Sequence, residues 1–138
     1  MSTQVTLAGR LTRDPEMKFT SSGKQVTRFS VVTSRRVKNN QTSEWEDKDT
    51  SFWECVAFGQ LAENVAESLT KGTAVIVTGS AAMEEWEKDG QKRRSVKVTA
   101  EDVAPSLRFA SAKVAKAERR DATAHSSGED PRASEPPF

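Results

Sequence analysis

The feature that most constrains this chain is a change of period at Gly59. Before it, Phe52, Glu54, Val56 and Phe58 alternate with Trp53, Cys55 and Ala57 in "SFWECVAFG", the two-residue repeat of a strand. After it, Leu61, Val65 and Leu69 recur every four residues with Ala62 and Ala66 beside them, an amphipathic helix that Gly72 is placed to end. Then "TAVIVTGS" returns to the strand period. Strand, helix and strand thus follow one another within about thirty residues.

The flanks supply more strands. "QVTLAGRL" at 4 to 11 alternates Val5 and Leu7, and Asp14-Pro15 breaks it. "MKFTSSGKQVTRFSVVTSRRV" predicts a short strand, a turn at Ser21-Ser22-Gly23, and a longer strand carrying Val26, Arg28, Phe29, Val31 and Val32. Residues 38 to 50, "KNNQTSEWEDKDT", hold no aliphatic side chain and predict a long exposed loop around Trp45. Residues 73 to 87 form a strand, Asp89-Gly90 is a type I′ turn signal, and "KRRSVKVTAEDV" is the returning strand. Three strands, one helix and a two-strand hairpin describe an all-β fold with one helix, the OB-fold. It is a five-stranded Greek-key barrel that binds oligonucleotides or oligosaccharides on one face.

The barrel accounts for residues 1–110. From about 111 the chain reads as a tail: "SAKVAKAERR" has four Lys or Arg against one Glu, and "DATAHSSGEDPRASEPPF" has four acids against one Arg. With almost no apolar side chain larger than Ala, residues 111–138 are expected to be disordered.

Composition narrows the function. One cysteine, Cys55, excludes an internal disulfide framework and a multi-cysteine zinc site, and the single histidine, His125, lies in the tail. No carboxylate pair, metal cluster or activated nucleophile emerges, so the chain is expected to be no enzyme and to need no metal or cofactor. No apolar run approaches the ~20 residues of a membrane span, and "MSTQVTLAGR" lacks the pattern of a signal peptide, so the expected location is cytoplasmic. The net charge of +1 means that any affinity for nucleic acid must come from local clusters.

"SFWECVAFG" carries large rings on both faces, and two readings of it stand side by side. Either both faces are buried, one in the barrel and one under a loop or a second subunit, or the Phe52/Phe58 face is a platform on which bases stack. The surroundings favour the platform. Trp86 sits at a strand end beside a charged turn, and Trp45 and Phe19 lie in or near polar segments. Each ring has cations nearby: Lys18 at Phe19, Arg35, Arg36 and Lys38 before Trp45, and Lys92, Arg93 and Arg94 across the hairpin from Trp86. Rings that stack bases, interleaved with cations that hold phosphates, are what a single-strand groove requires. An OB-fold adaptor that uses its rings for protein contacts is the competing reading.

The residues also resemble a known family. "VTLAGRLTRDPEMKFTSSGKQVTRFSVVTS", with G-x-L-x-x-D-P-E at Gly9, Leu11, Asp14, Pro15 and Glu16, resembles the N-terminal half of bacterial single-stranded DNA-binding proteins. "FGQLAENVAESLTKGTAVIVTG" from Phe58 resembles their helix and following strand, and "EPPF" resembles their C-terminal tip. The similarity covers residues 3 to about 110. It implies a homotetrameric, nucleoid-associated protein that coats single-stranded DNA in replication, recombination or repair without sequence preference. It also implies recruitment of replication and repair proteins through Glu135, Pro136, Pro137 and Phe138.

Carried over by position, the stacking rings are Phe52, Phe58 and Trp86, with Phe19 and Trp45 as further candidates. Val37 stands where another stacking Trp is frequent. The expected phosphate contacts are Arg10, Arg28, Arg35, Arg36, Lys38, Lys71, Lys92, Arg93 and Arg94. The expected subunit contacts are Val5, Leu7, Trp53 and Cys55, and Cys55 is either a buried reduced thiol or paired between two subunits. Three acids depart from the family pattern: Glu54, where Arg is frequent, and Glu84 and Glu85 before Trp86. The tail is shorter and its tip less acidic than is typical, as in a short-tailed paralogue.

Overall fold

A computed structural model of the chain describes residues 2–117. Six strands and one helix follow in the order β1 (Thr3–Leu11), β2 (Glu16–Phe19), β3 (Gln25–Lys38), β4 (Trp45–Phe58), α1 (Gly59–Ser68), β5 (Ala74–Lys88) and β6 (Gln91–Pro105). Their sheet order is β1-β5-β6-β4-β3-β2, and β1 also pairs with β3 at Arg10/Val32 and Leu11/Val31. That last pairing closes five strands into a ring, which is the expected OB-type barrel. The sixth strand, β2, is the short half of the expected hairpin and pairs along one edge of β3 alone.

Inward-pointing residues fill the ring. Leu7 and Leu11 of β1, Phe29 and Val31 of β3, Cys55 and Ala57 of β4, Val75 and Val77 of β5, and Val98 and Ala100 of β6 form one core. The helix caps it with Ala62, Val65 and Leu69, the predicted apolar stripe. Thr27, buried among these, donates its hydroxyl to the Ala62 carbonyl at 2.7 Å and so ties α1 to β3. Two glycines permit the closure. A Cβ on Gly9 would run into the Val32 carbonyl oxygen, and one on Gly79 into that of Thr99. Both are places where backbones cross at a distance only glycine allows.

The segment expected as a loop at 38 to 50 is mostly strand. β3 and β4 continue as a two-stranded ribbon, with Arg35 opposite Lys48, Arg36 opposite Asp47, Val37 opposite Glu46 and Lys38 opposite Trp45. Only Asn39–Glu44 turns, closed by the Asn39 amide donating to the Glu44 carbonyl at 2.8 Å. The ribbon stands beyond the core and its side chains are mostly exposed, so its strands carry no apolar alternation for a sequence reading to detect.

At the other hairpin, Asp89 and Gly90 have φ of 54° and 78°, the two positive values a type I′ turn requires. Ser106–Ala117 carry neither helix nor strand. His125 and the tip residues Glu135, Pro136, Pro137 and Phe138 lie outside the described residues, as does most of the expected tail.

Candidate nucleic-acid interface

The two faces of the β4 segment have separate fates. On the odd side, Cys55 and Ala57 are buried, and half-buried Trp53 donates its indole N–H to Thr33 Oγ1 at 2.9 Å. On the even side, Phe52 is 69% and Phe58 41% exposed, while Val56 between them is 2% exposed. The odd face is therefore barrel interior, and in the single chain the even face is surface, with no described loop covering Phe52 or Phe58.

Of the expected subunit contacts, Leu7 and Cys55 belong to the core of the single chain, and the partly buried Val5 and Trp53 pack against it. The Cys55 thiol is pushed up to about 12, first by burial and then by the nearby Glu54 carboxylate. A buried neutral thiol pointing into the barrel is the structural alternative of the two posed for Cys55.

Register then assembles the even face across four strands. On β3, Val26 lies opposite Phe58, Arg28 opposite Val56, Ser30 opposite Glu54 and Val32 opposite Phe52. On β6, Lys97 neighbours Glu54 and Thr99 neighbours Val56. On β5, Ala82 is opposite Lys97, Glu84 opposite Ser95 and Trp86 opposite Arg93. Side chains in register share a face, so Phe52, Phe58 and the 44% exposed Trp86 stand on one surface with Arg28, Arg93 and Lys97. Between them a shallow cavity of about 160 Å³ opens over Val56, walled by Arg28, Glu54, Glu84, Trp86 and Lys97.

A bulge adds Trp45 to the same surface. Between Thr33/Ser51 and Arg35/Lys48, β3 advances two residues and β4 three, and Asp49 on β4 has φ 58°. The extra residue reverses parity, so the odd-numbered Trp45 joins the side of Lys38, Arg36 and Val32, which is the Phe52 side. Trp45 is 60% exposed and lines an open cleft that also holds Val32, Arg36 and Phe109.

Alternation divides the predicted cations. Arg28, Arg36, Lys38 and Arg93 lie on the ring-bearing face, whereas Lys92 and Arg94 point to the other side of the hairpin with Glu87 and Glu85 opposite. Arg35 lies on the opposite face of the ribbon and binds Asp49 at 2.8 Å. Arg10 of β1 donates to the Gly72 carbonyl at 3.0 Å, and in the α1–β5 turn the Lys71 backbone N–H donates to Asp14 Oδ1 at 2.8 Å. Phe19 is opposite Gln25, on the face of β3 away from Val26 and Phe58. Arg10, in register with Val32, and Arg35 nonetheless line the cleft of Trp45, whereas Phe19, Lys92 and Arg94 point away from the ring-bearing face.

Three cations escaped the sequence reading. Lys24 lies over the Phe58 ring at 5.3 Å from its centroid, Arg13 contacts Glu54 at 3.2 Å, and Lys97 contacts Glu84 at 3.3 Å. Their only sequence mark was charge, scattered outside the clusters that drew notice. Glu85, the third unexpected acid, binds Arg94 at 2.9 Å on the other face. Exposed pairs of this kind contribute about 0–1 kcal/mol each and are readily exchanged. Among the described residues no three His, Cys, Asp or Glu side chains group as metal ligands, and no helix is long and apolar enough to cross a membrane.

The model of the "Single-strand binding protein family" matches residues 2–106. A single-stranded DNA-binding protein of Mycobacterium leprae is 47% identical over 118 residues, covering 85% of this chain and 70% of its own. One of Mycobacterium tuberculosis is 41% identical over 146 residues, covering 97% and 89% respectively. The crystal structure of the small single-stranded DNA-binding protein from Streptomyces coelicolor superposes with a TM-score of 0.69 at 25% identity. That match covers 77% of this chain and 95% of that one.

Proposed function

The chain belongs to the single-strand binding protein family, and from that membership and the ring-bearing face we propose that it binds and protects single-stranded DNA by stacking bases on exposed rings while cations hold the phosphates. The family is one of binding proteins, not enzymes. The observation that carries the mechanism is the convergence of Phe52, Phe58 and Trp86 from two separate hairpins onto one surface with Arg28, Arg93 and Lys97.

Stacking needs only a base's π-face, so binding is independent of sequence, and a duplex, whose bases are already stacked, is a poor ligand. The strand runs from Trp86 over Val56 and Phe58 to Phe52, then along the β3–β4 ribbon past Arg36 to Trp45. Arg28, Arg36, Lys38 and Arg93 are the phosphate contacts. The assembly is a homotetramer that works in replication, recombination or repair, and the Glu135–Phe138 tip recruits protein partners.

Titration with oligo-dT of increasing length, followed by tryptophan fluorescence across a range of salt, tests the function. Trp45 and Trp86 stand in the proposed path, so strong quenching that weakens with salt is expected. An adaptor that uses its rings for proteins would show little quenching at any salt. Light scattering of the same samples gives the subunit number.

A further inference from the structure

Two carboxylates stand in the middle of the ring-bearing face. Glu54 lies between Phe52 and Phe58 on β4, Glu84 lies two residues before Trp86 on β5, and both wall the cavity over Val56. Each holds a cation: Arg13 Nη2 is 3.2 Å from Glu54 Oε2, and Lys97 Nζ is 3.3 Å from Glu84 Oε1. Lys97 is also the register neighbour of Glu54. The four groups therefore form a row of alternating sign, Arg13, Glu54, Lys97, Glu84, through the place where a bound strand would lay its phosphates. A carboxylate oxygen at such a distance occupies the position that a phosphate oxygen would take on the same cation.

We propose that Glu54 and Glu84 act as internal phosphate substitutes, so that DNA reaches Arg13 and Lys97 only by displacing them. The inference rests on the binding face proposed above. A ligand offering phosphate alone exchanges one ion pair for another and gains little. A strand with unstacked bases keeps its stacking gain whatever happens at the cations. The pairs thereby discriminate against base-free polyanions and duplexes through what those ligands fail to gain.

The test uses the full chain as wild type, Glu54→Gln, Glu84→Gln and the double variant, titrated with oligo-dT and with inorganic polyphosphate over a range of salt. Each released cation is expected to steepen log K against log[salt] by about 0.7, so the gain over wild type grows about fivefold for each tenfold drop in salt. As a share of total log K, the gain should be larger for polyphosphate, which has no stacking contribution, than for oligo-dT. In an Arg13→Gln background the Glu54→Gln gain should vanish, because the cation it frees is gone. An equal gain in both backgrounds would mean simple repulsion by an acid and would overturn the proposal. Slopes unchanged from wild type, or a smaller share gained for polyphosphate, would overturn it too. Wild type that fails to bind oligo-dT at any salt would instead overturn the binding function itself. All four side chains are partly exposed, and matching thermal melts confirm that the variants fold.

Discussion

The Lys24 ammonium lies 5.3 Å from the centroid of the Phe58 ring. The turn between β2 and β3 places it there: the Thr20 amide donates to the Lys24 carbonyl at 2.8 Å, and the Lys24 amide donates to Thr20 Oγ1 at 3.1 Å. A cation over a ring is attracted by its π-face, and a lysine stem is flexible enough to swing aside to a phosphate when a base takes that face. Ring and counter-charge for one nucleotide are thus supplied together.

Alanine at Phe52, Phe58 or Trp86 is expected to cost about 1–3 kcal/mol of oligo-dT affinity, roughly a five- to 150-fold loss. Lys24→Ala should flatten the salt slope by about 0.7 with a smaller loss of affinity. Equilibrium titration reads both. Phe52 is the most exposed of the three rings, so its variant should melt with wild type.

Trp45 depends on the bulge at Asp49. Deleting Asp49 restores the two-residue repeat and turns Trp45 to the opposite face of the ribbon, while the closed barrel is left alone. The deletion should weaken binding of long oligo-dT as much as Trp45→Ala does and change the shortest oligomers little. Loss confined to Trp45→Ala would show that the bulge does not set its direction.

The sequence made the barrel legible wherever one face was buried. The alternation in "SFWECVAFG" separated core from surface by parity, and the four-residue repeat of Leu61, Val65 and Leu69 marked the helix. Parity failed to describe the β3–β4 ribbon, because both of its faces meet water and no apolar pattern records its strands. The Asp49 bulge, one residue long and made of polar side chains, left no trace either. "QKRR" read as one basic cluster, yet strand alternation sends Arg93 to one face and Lys92 and Arg94 to the other. Glu54 was legible as an anomaly, but its partner Arg13 is 41 residues away and only the fold joins them.

Cys55 gives a prediction in the opposite sense, of inertness. Its thiol is raised to about 12, above its unfolded value of 9.0, so the folded state holds its proton where the unfolded state releases it. Its contribution to stability is complete below pH 9.0 and is lost as pH rises towards about 12. At pH 8 a thiol reagent should label Cys55 only at the rate of unfolding, and quickly in denaturant. Non-reducing electrophoresis of alkylated lysate should show no disulfide-linked dimer.

The central claim is that one face, carrying Phe52, Phe58 and Trp86, is where single-stranded DNA lies. Photo-crosslinking with oligonucleotides containing 5-iodouracil, followed by mass spectrometry of the peptides, tests this most directly, because the halogenated base reacts with the ring it stacks on. The account predicts adducts on Phe52, Phe58 and Trp86, lost in high salt, with Trp45 joining as the oligonucleotide lengthens. Adducts concentrated instead on the outward side of β1 and β5, around Thr6 and Ile76, would contradict it.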